Sequence, residues 1–247
     1  MIIGCSLFFF FPENEWDFLK GYVENKEIRS FELRYTLDEI ATLQEEPFET
    51  LSLKYFPCLL LEVKYNFNGT TLEDQILWSL TDGEMILNTQ SWTLSHGFSE
   101  LIQLGLNGEE VAALQDLTKS ASPLLAEESR FPYALSSLKK KNLVLETDGY
   151  YTLHMKDPFL SIPPRTRMLT PLVLRHYQQK EMFPKKFTTR QVERLVVDYF
   201  KPFQLAIKNT RVIYLPVAEL KRKNSDDSFT IEYLNCLTGD PIDFVPA

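Results

Sequence analysis

Two stretches of this chain open on the same Tyr-x-Pro and then behave alike. Tyr55-Phe56-Pro57-Cys58-Leu59-Leu60-Leu61-Glu62-Val63-Lys64 and Tyr214-Leu215-Pro216-Val217-Ala218-Glu219-Leu220-Lys221 both continue as apolar strands and become polar or charged. Each then meets turn-forming residues, Asn68-Gly69 in the first and Asn224 to Ser228 in the second. A returning strand follows, Gln75 to Leu80 in one and Phe229 to Leu237 in the other. Both returning strands end in near-matching turns, Leu80-Thr81-Asp82-Gly83 and Leu237-Thr238-Gly239-Asp240. Asn-Gly and Asp-Gly supply the positive φ that tight hairpins require. Upstream of each hairpin the sequence predicts a helix, starting at Thr36 with Glu39 three residues on and at Thr188 with Gln191 three residues on. Both are capping-box spacings, and the helices are expected to end near Pro47-Phe48 and Pro202-Phe203. The candidate duplicated units run over about 31–86 and 183–244.

Between them the texture changes. Asn107 is placed to cap a helix running through Glu109, Val111, Leu114 and Leu117. A Ser/Pro loop at 120–123 follows, and Ser129 is the expected cap of a second helix with Pro132 in its first turn. Phe131, Ala134, Leu135 and Leu138 fall at helical i, i+3, i+4, i+7 spacing. Lys139-Lys140-Lys141 close that helix on the side its macrodipole favours. Leu143 to Leu153 then reads as a hairpin around Asp148-Gly149. The succession over about 97–154 resembles a winged helix-turn-helix domain, carried by Leu135, Leu138, Leu143, Val144, Asp148, Gly149 and Tyr151. The resemblance implies a shape more than base reading. The second helix has few Arg or Asn side chains to reach bases, and the first is acidic.

The expected fold class is therefore α+β, a central winged-helix-like domain flanked by two helix-plus-hairpin modules. An acidic N-terminal module spans 1–95, the winged-helix-like domain 96–157, and a basic C-terminal module 165–247. The proline-bearing connector Asp157 to Pro164 is the preferred boundary. At 247 residues the chain can bury one large core or two small ones. Hydrophobic residues at 44% and charged residues at 24% exclude wholesale disorder. Aromatics at 13% favour sheet packing, and only 9 Gly argue against phosphate-cradling glycine loops. The apolar start, Ile2 to Phe11, lacks a basic n-region and is too short to span a bilayer, so a buried strand is expected there.

The charge is sorted by position. Residues 1–129 hold 7 Lys+Arg against 22 Asp+Glu, residues 130–225 hold 19 against 7, and residues 226–247 hold none against 5. A cationic block inside an acidic chain points to an anionic guest on one face, or to pairing with the acidic part of the same chain. The candidate nucleic-acid-binding residues are Lys139, Lys140, Lys141, Arg165, Arg167, Arg175, Lys185, Lys186, Arg190 and Arg194. Such side chains neutralise phosphates without exact spacing, and interleaved Tyr177, Phe183, Phe187, Tyr199 and Phe200 are of the type that stacks on bases.

Catalytic chemistry finds no matching pattern. Cys5, Cys58 and Cys236 are odd in number and dispersed, which gives no disulfide framework or zinc ribbon and suits a reducing cytosol. Cys58 follows Pro57 inside an apolar strand, where burial makes a thiol inert. His96 precedes Gly97 at an expected helix start, His154 ends the hairpin, and His176 lies beside Arg175 in what reads as a basic helix. None has metal-site spacing. No cofactor, metal or catalytic residue is assigned, and neither a signal peptide nor a membrane span is expected. The expected role is a cytoplasmic, non-enzymatic accessory protein that contacts nucleic-acid backbone. The alternative is a protein-interaction subunit or self-associating adaptor without nucleic acid.

Overall fold

The computed structural model describes residues 26–119, 124–125, 129–155 and 164–242. The strand expected over Ile2 to Phe11, Cys5 and most of the connector before Pro164 lie outside them. The protein is mixed α+β. Two strands of 18 residues dominate it, β2 (Thr50–Phe67) and β10 (Ala206–Lys223). They lie antiparallel, and the two Tyr-x-Pro motifs face each other: Tyr55 opposite Pro216, Phe56 opposite Leu215, Pro57 opposite Tyr214. Pro57 O accepts from Leu80 N and Pro216 O from Cys236 N, so each proline turns its missing N–H away from the β2–β10 ladder, toward a returning strand whose pairing begins one residue later.

Around this pair the main sheet builds outward. On one side come β3 (Thr70–Ser79), β4 (Met85–Asn88) and β5 (Thr93–Leu94). On the other, β10 shares its edge between β1 (Lys26–Phe31), which runs parallel to it, and β11 (Phe229–Asn235), which folds back antiparallel. β9 (Leu172–Tyr177) pairs with β1 and closes that end. The β2–β3 turn is Asn68-Gly69, with φ of 50° and 76°. Two consecutive positive φ values are what a two-residue hairpin needs.

Two helices pack on one face of this sheet. α1 (Leu37–Thr42) buries Ile40 against Ala218, Leu220, Leu234 and Cys236 of the β10–β11 hairpin. The longer α5 (Thr189–Tyr199) buries Val192, Leu195, Val196 and Tyr199 in the cluster that holds Leu59, Leu61, Ile76 and Trp78 of the β2–β3 hairpin. Both begin with a closed capping box. Thr36 Oγ1 accepts from Glu39 N while a Glu39 carboxylate oxygen accepts from Thr36 N, and Thr188 does the same with Gln191. α1 stops at Thr42, short of the Pro47 expected from sequence. Glu45 and Glu46 would oppose the dipole at a helix C-terminus, and the residue before Pro47 is biased away from helical φ/ψ. The opposite sheet face is a second cluster, with Phe31, Phe56, Cys58, Leu60, Leu215 and Val217.

The same backbone contacts occur at the ends of both hairpins. Leu80 N donates to Pro57 O at 3.0 Å, and Cys236 N donates to Pro216 O at 3.2 Å. Ser79 N donates to Glu84 O and Asn235 N to Asp240 O, each at 2.9 Å. Gly83 N donates to Ser79 O, as Gly239 N does to Asn235 O, and both glycines have positive φ. The incoming segments are exchanged: Arg34 N and Tyr35 N, ahead of α1, donate to Cys236 O, whereas Lys186 N and Phe187 N, ahead of α5, donate to Leu80 O. The parallel contacts also correspond, Ser30 with Tyr214 and Met182 with Tyr55.

Residues between the hairpins form α2 (Phe98–Gln103), α3 (Gly108–Lys119), β6 (Leu124–Leu125), α4 (Pro132–Lys140), β7 (Val144–Thr147) and β8 (Tyr150–Leu153). The three strands make a small antiparallel sheet in the order β6-β8-β7. Phe98, Leu101, Val111, Leu114, Leu135, Leu138 and Val144 join the β2–β3 side of the core. Asn107 Oδ1 accepts from Glu109 N and Glu110 N and so caps α3 as expected. Three local expectations are corrected. Ser129 accepts from Phe131 N and sits too early to cap α4, which starts on Pro132, whose φ is pre-set for a first helical residue. His96 does not start α2; the Glu84 carboxylate does, accepting from Phe98 N and Ser99 N. His176 lies in strand β9 opposite Glu27, because six cross-strand pairs with β1 outweigh the local helical reading. Among the described residues no helix is long and apolar enough to cross a membrane.

Candidate nucleic-acid interface

The ten candidate cations are carried by several elements. Lys139, Lys140 and Lys141 sit at the end of α4, where the chain turns into β7. Two of them are taken up locally. Lys139 Nζ lies 2.9 Å from a Glu146 carboxylate oxygen of β7, and the hydrogen bond lowers the Glu146 pKa and raises that of Lys139. Lys141 Nζ lies 2.7 Å from Glu110, whose side chain is only 3% exposed. Burial pushes the Glu110 carboxyl up, but the Lys141 ammonium, Asn107 N–H and Ser137 hydroxyl more than offset this, leaving it below its ordinary value. Glu110 thus ties α3 to α4. Lys140 is exposed.

Arg165 and Arg167 flank Thr166 on a segment that runs along β3 and β4. Thr166 is buried; its N–H donates to Gln75 O, and its hydroxyl accepts from Leu77 N and donates to Ile86 O. Arg167 N donates to Leu87 O, and Thr89 N donates back to Arg167 O. Alternation then puts both guanidinium side chains on one side of the segment, at a groove of ≈ 550 Å³ lined also by Glu73, Asp74 and Met168. Arg175, opposite Ile28 in β9, is half-buried, with a buried Nε that has no hydrogen-bond partner among the described residues. Lys185 and Lys186 precede α5, Arg190 is in its first turn, and all three are exposed. Arg194 lies one turn further, 3.9 Å from Asp198. Among the described residues, Lys140, Arg165, Arg167, Lys185, Lys186 and Arg190 make no ion pair.

Charge counting alone misses Tyr133, which is 89% exposed on α4. Tyr133, Ser136 and Lys140 form the solvent stripe of that helix at i, i+3, i+7, opposite buried Ala134, Leu135 and Leu138. The signal was present: an aromatic out of phase with the buried stripe. Beyond it the β7–β8 turn holds Asp148 and Gly149 at φ of 54° and 80°, and exposes Leu145 and Tyr150.

Burial holds the Cys58 thiol far above its usual range and pushes Cys236 up to about 12, so both stay protonated and unreactive near neutral pH. His154 Nδ1 meets Asn142 O at 3.2 Å, and His176 Nε2 lies 3.8 Å from Glu27. Among the described residues no group of three His, Cys, Asp or Glu side chains is placed to hold a metal ion. Comparison with known protein families, curated proteins and solved structures finds no match to this chain.

Proposed function

We propose that the chain is a non-enzymatic accessory protein that holds nucleic-acid backbone, its segment 97–154 serving as a winged-helix unit and its two hairpin modules being diverged copies of one ancestor. The order helix, helix, short strand, helix, hairpin supports the winged-helix reading. The recurring contacts at Leu80 and Cys236, with the exchanged segments ahead of α1 and α5, support duplication. The observation that carries the function is the set of six exposed cations without an ion pair among the described residues, together with the Tyr133–Ser136–Lys140 stripe. Lys and Arg there would neutralise phosphates, with little base readout.

Fluorescence anisotropy of a labelled duplex and a labelled single strand, at low and at physiological salt, tests this. If all six cations meet phosphates, affinity falls about a thousandfold between roughly 50 and 200 mM salt. The R165E/R167E and K185E/K186E variants are each expected to weaken binding to every sequence alike. Absence of binding to any strand at low salt overturns the proposal. One observation favours a second reading, a protein-docking surface: the large apolar or aromatic side chains of Tyr133, Leu145 and Tyr150 are exposed on the helix and hairpin of this segment. In that case Y133A abolishes retention of a co-purifying protein partner while the cation variants leave it intact.

A further inference from the structure

The two capped helices carry opposite charge at matching places. Two residues after its capping threonine, α1 has Asp38 and α5 has Arg190. Residues 32–50, around α1, hold one arginine against six carboxylates, and the matching residues 184–202, around α5, hold five cations against two carboxylates. All six carboxylates of the first set are exposed, and Asp38, Glu45 and Glu49 make no ion pair among the described residues. Lys185, Lys186 and Arg190 are their exposed counterparts, also without an ion pair among the described residues. The macrodipole of α5 favours an acidic residue in its first turn, yet that turn holds Arg190 and no carboxylate. Each patch also has an apolar member. Leu43, 55% exposed, ends α1 one turn after Glu39, and Val197, 42% exposed, shares the solvent stripe of α5 with Arg190 and Arg194 at i, i+4, i+7. An exposed apolar residue within a charged rim has the makeup of an interface.

The sheet sets the two patches where a second copy satisfies both. β2 and β10 are related by a local two-fold through the Phe56–Leu215 pair, with Tyr55 opposite Pro216 on one side and Pro57 opposite Tyr214 on the other. α1 and α5 lie on the same sheet face on either side of that axis, α1 over β10–β11 and α5 over β2–β3. We propose that the chain self-associates through this face. When two copies meet face to face about a two-fold axis parallel to the sheet, the acidic patch of each comes opposite the basic patch of the other. Asp38, Glu45 and Glu49 of one copy then meet Lys185, Lys186 and Arg190 of the second, with Leu43 against Val197. Both contacts form at once, so the assembly closes as a dimer. Only the α5 side also carries α2 to α4, so the bulkier half of each copy lies over the slighter half of the other. The inference does not rest on the nucleic-acid reading. It takes three of the same cations, so a strand and a second copy occupy that face in turn.

Sedimentation equilibrium of the full chain, without nucleic acid, tests this. At low salt the mass is expected to rise with concentration from the monomer toward the dimer. The dimer is expected to weaken tenfold or more between roughly 10 mM and 1 M salt, over which the screening length falls from about 30 to about 3 Å. A monomer at every concentration in low salt overturns the inference, as does a dimer whose strength salt leaves unchanged. Charge reversal then locates the contact. K185E/R190E makes both patches acidic and E45K/E49K makes both basic, all four at exposed positions. Each variant is expected to stay monomeric by itself, with its thermal midpoint recorded as a check on folding. Mixed in equal amounts, the two are expected to form a one-to-one dimer, because every contact regains opposite signs. Variants that self-associate as the wild type does, or two folded variants that stay monomeric on mixing, overturn the assignment of this face.

Discussion

At the end of β3 the chain turns through Ser79, Thr81 and Asp82, whose side chains bond one another, and Glu84 beyond them caps α2. At the end of β11 the same backbone turn carries Asn235, Thr238 and Asp240 and opens onto a pocket. The contrast continues along the hairpins. Trp78, buried beneath Phe98, stands where the second hairpin has Leu234: Trp78 pairs with Met85, and Leu234 with Pro241. One hairpin therefore carries the α2–α4 unit on its core, and the other carries the six-residue α1. A single backbone solution has been filled twice, once for support and once with its polar end left open.

Truncation separates the two most strongly. Trp78 is fully buried in the larger cluster, so W78A is expected to cost about 3–5 kcal/mol, against about 2–3 for L234A in the smaller one. Chemical denaturation of the two variants measures the difference. Equal losses would mean that α2 to α4 add nothing to the first hairpin.

The turn glycines sharpen the comparison at the level of a single methyl group. Both Gly83 and Gly239 have positive φ, so alanine strains either by about 1–2 kcal/mol. At Gly83 the added Cβ also falls 2.6 Å from the Phe187 ring and 3.0 Å from the Ser99 Cα, whereas at Gly239 the nearest atom is Tyr35 at 3.6 Å. G83A is expected to cost about 1–3 kcal/mol more than G239A, since overpacking adds to the same backbone strain. Thermal midpoints that fall equally would show that Phe187 yields.

The smallest effect is a pH dependence at the turn that ends the first hairpin. Burial raises the Asp82 carboxyl pKa, the Ser79 and Thr81 hydroxyls partly oppose this, and Glu84 adds to it. The folded state thus holds the Asp82 proton more tightly than the unfolded chain does. That contribution to stability is present below the ordinary carboxyl value and is lost as pH rises through the raised one. D82N keeps an acceptor for both hydroxyls and removes the charge. Its thermal midpoint is expected to gain on the wild type between acid and neutral pH. A constant difference across that range would contradict the shift.

Local chemistry was readable in the sequence wherever a few neighbouring residues decide the outcome. Asn68-Gly69, Asp148-Gly149, the capping boxes at Thr36 and Thr188 and the Asn107 cap all act within three or four positions. What the sequence hid depends on distant partners. Nothing near Tyr55 announces that it will face Pro216, more than 150 positions away. Leu172 to Tyr177 is a strand only because β1 is beside it. The candidate site suffers likewise. A block count of charge places Lys139 and Lys141 among free cations, but folding sets Glu146 and Glu110 against them. Asn235 reads as an ordinary residue of the returning strand until its amide nitrogen is seen to be enclosed without a partner among the described residues.

The exchange of segments bears on how the chain comes into being. β2 lies against β10 along nearly its whole length, and the residues ahead of α1 bond to Cys236. At a synthesis rate of roughly 5–20 residues per second, β2 waits on the order of 10–30 s after leaving the ribosome before β10 exists. Throughout that interval an 18-residue strand with seven consecutive buried positions has no partner on that edge. A nascent chain of this kind has reason to meet a chaperone before it meets its own other half.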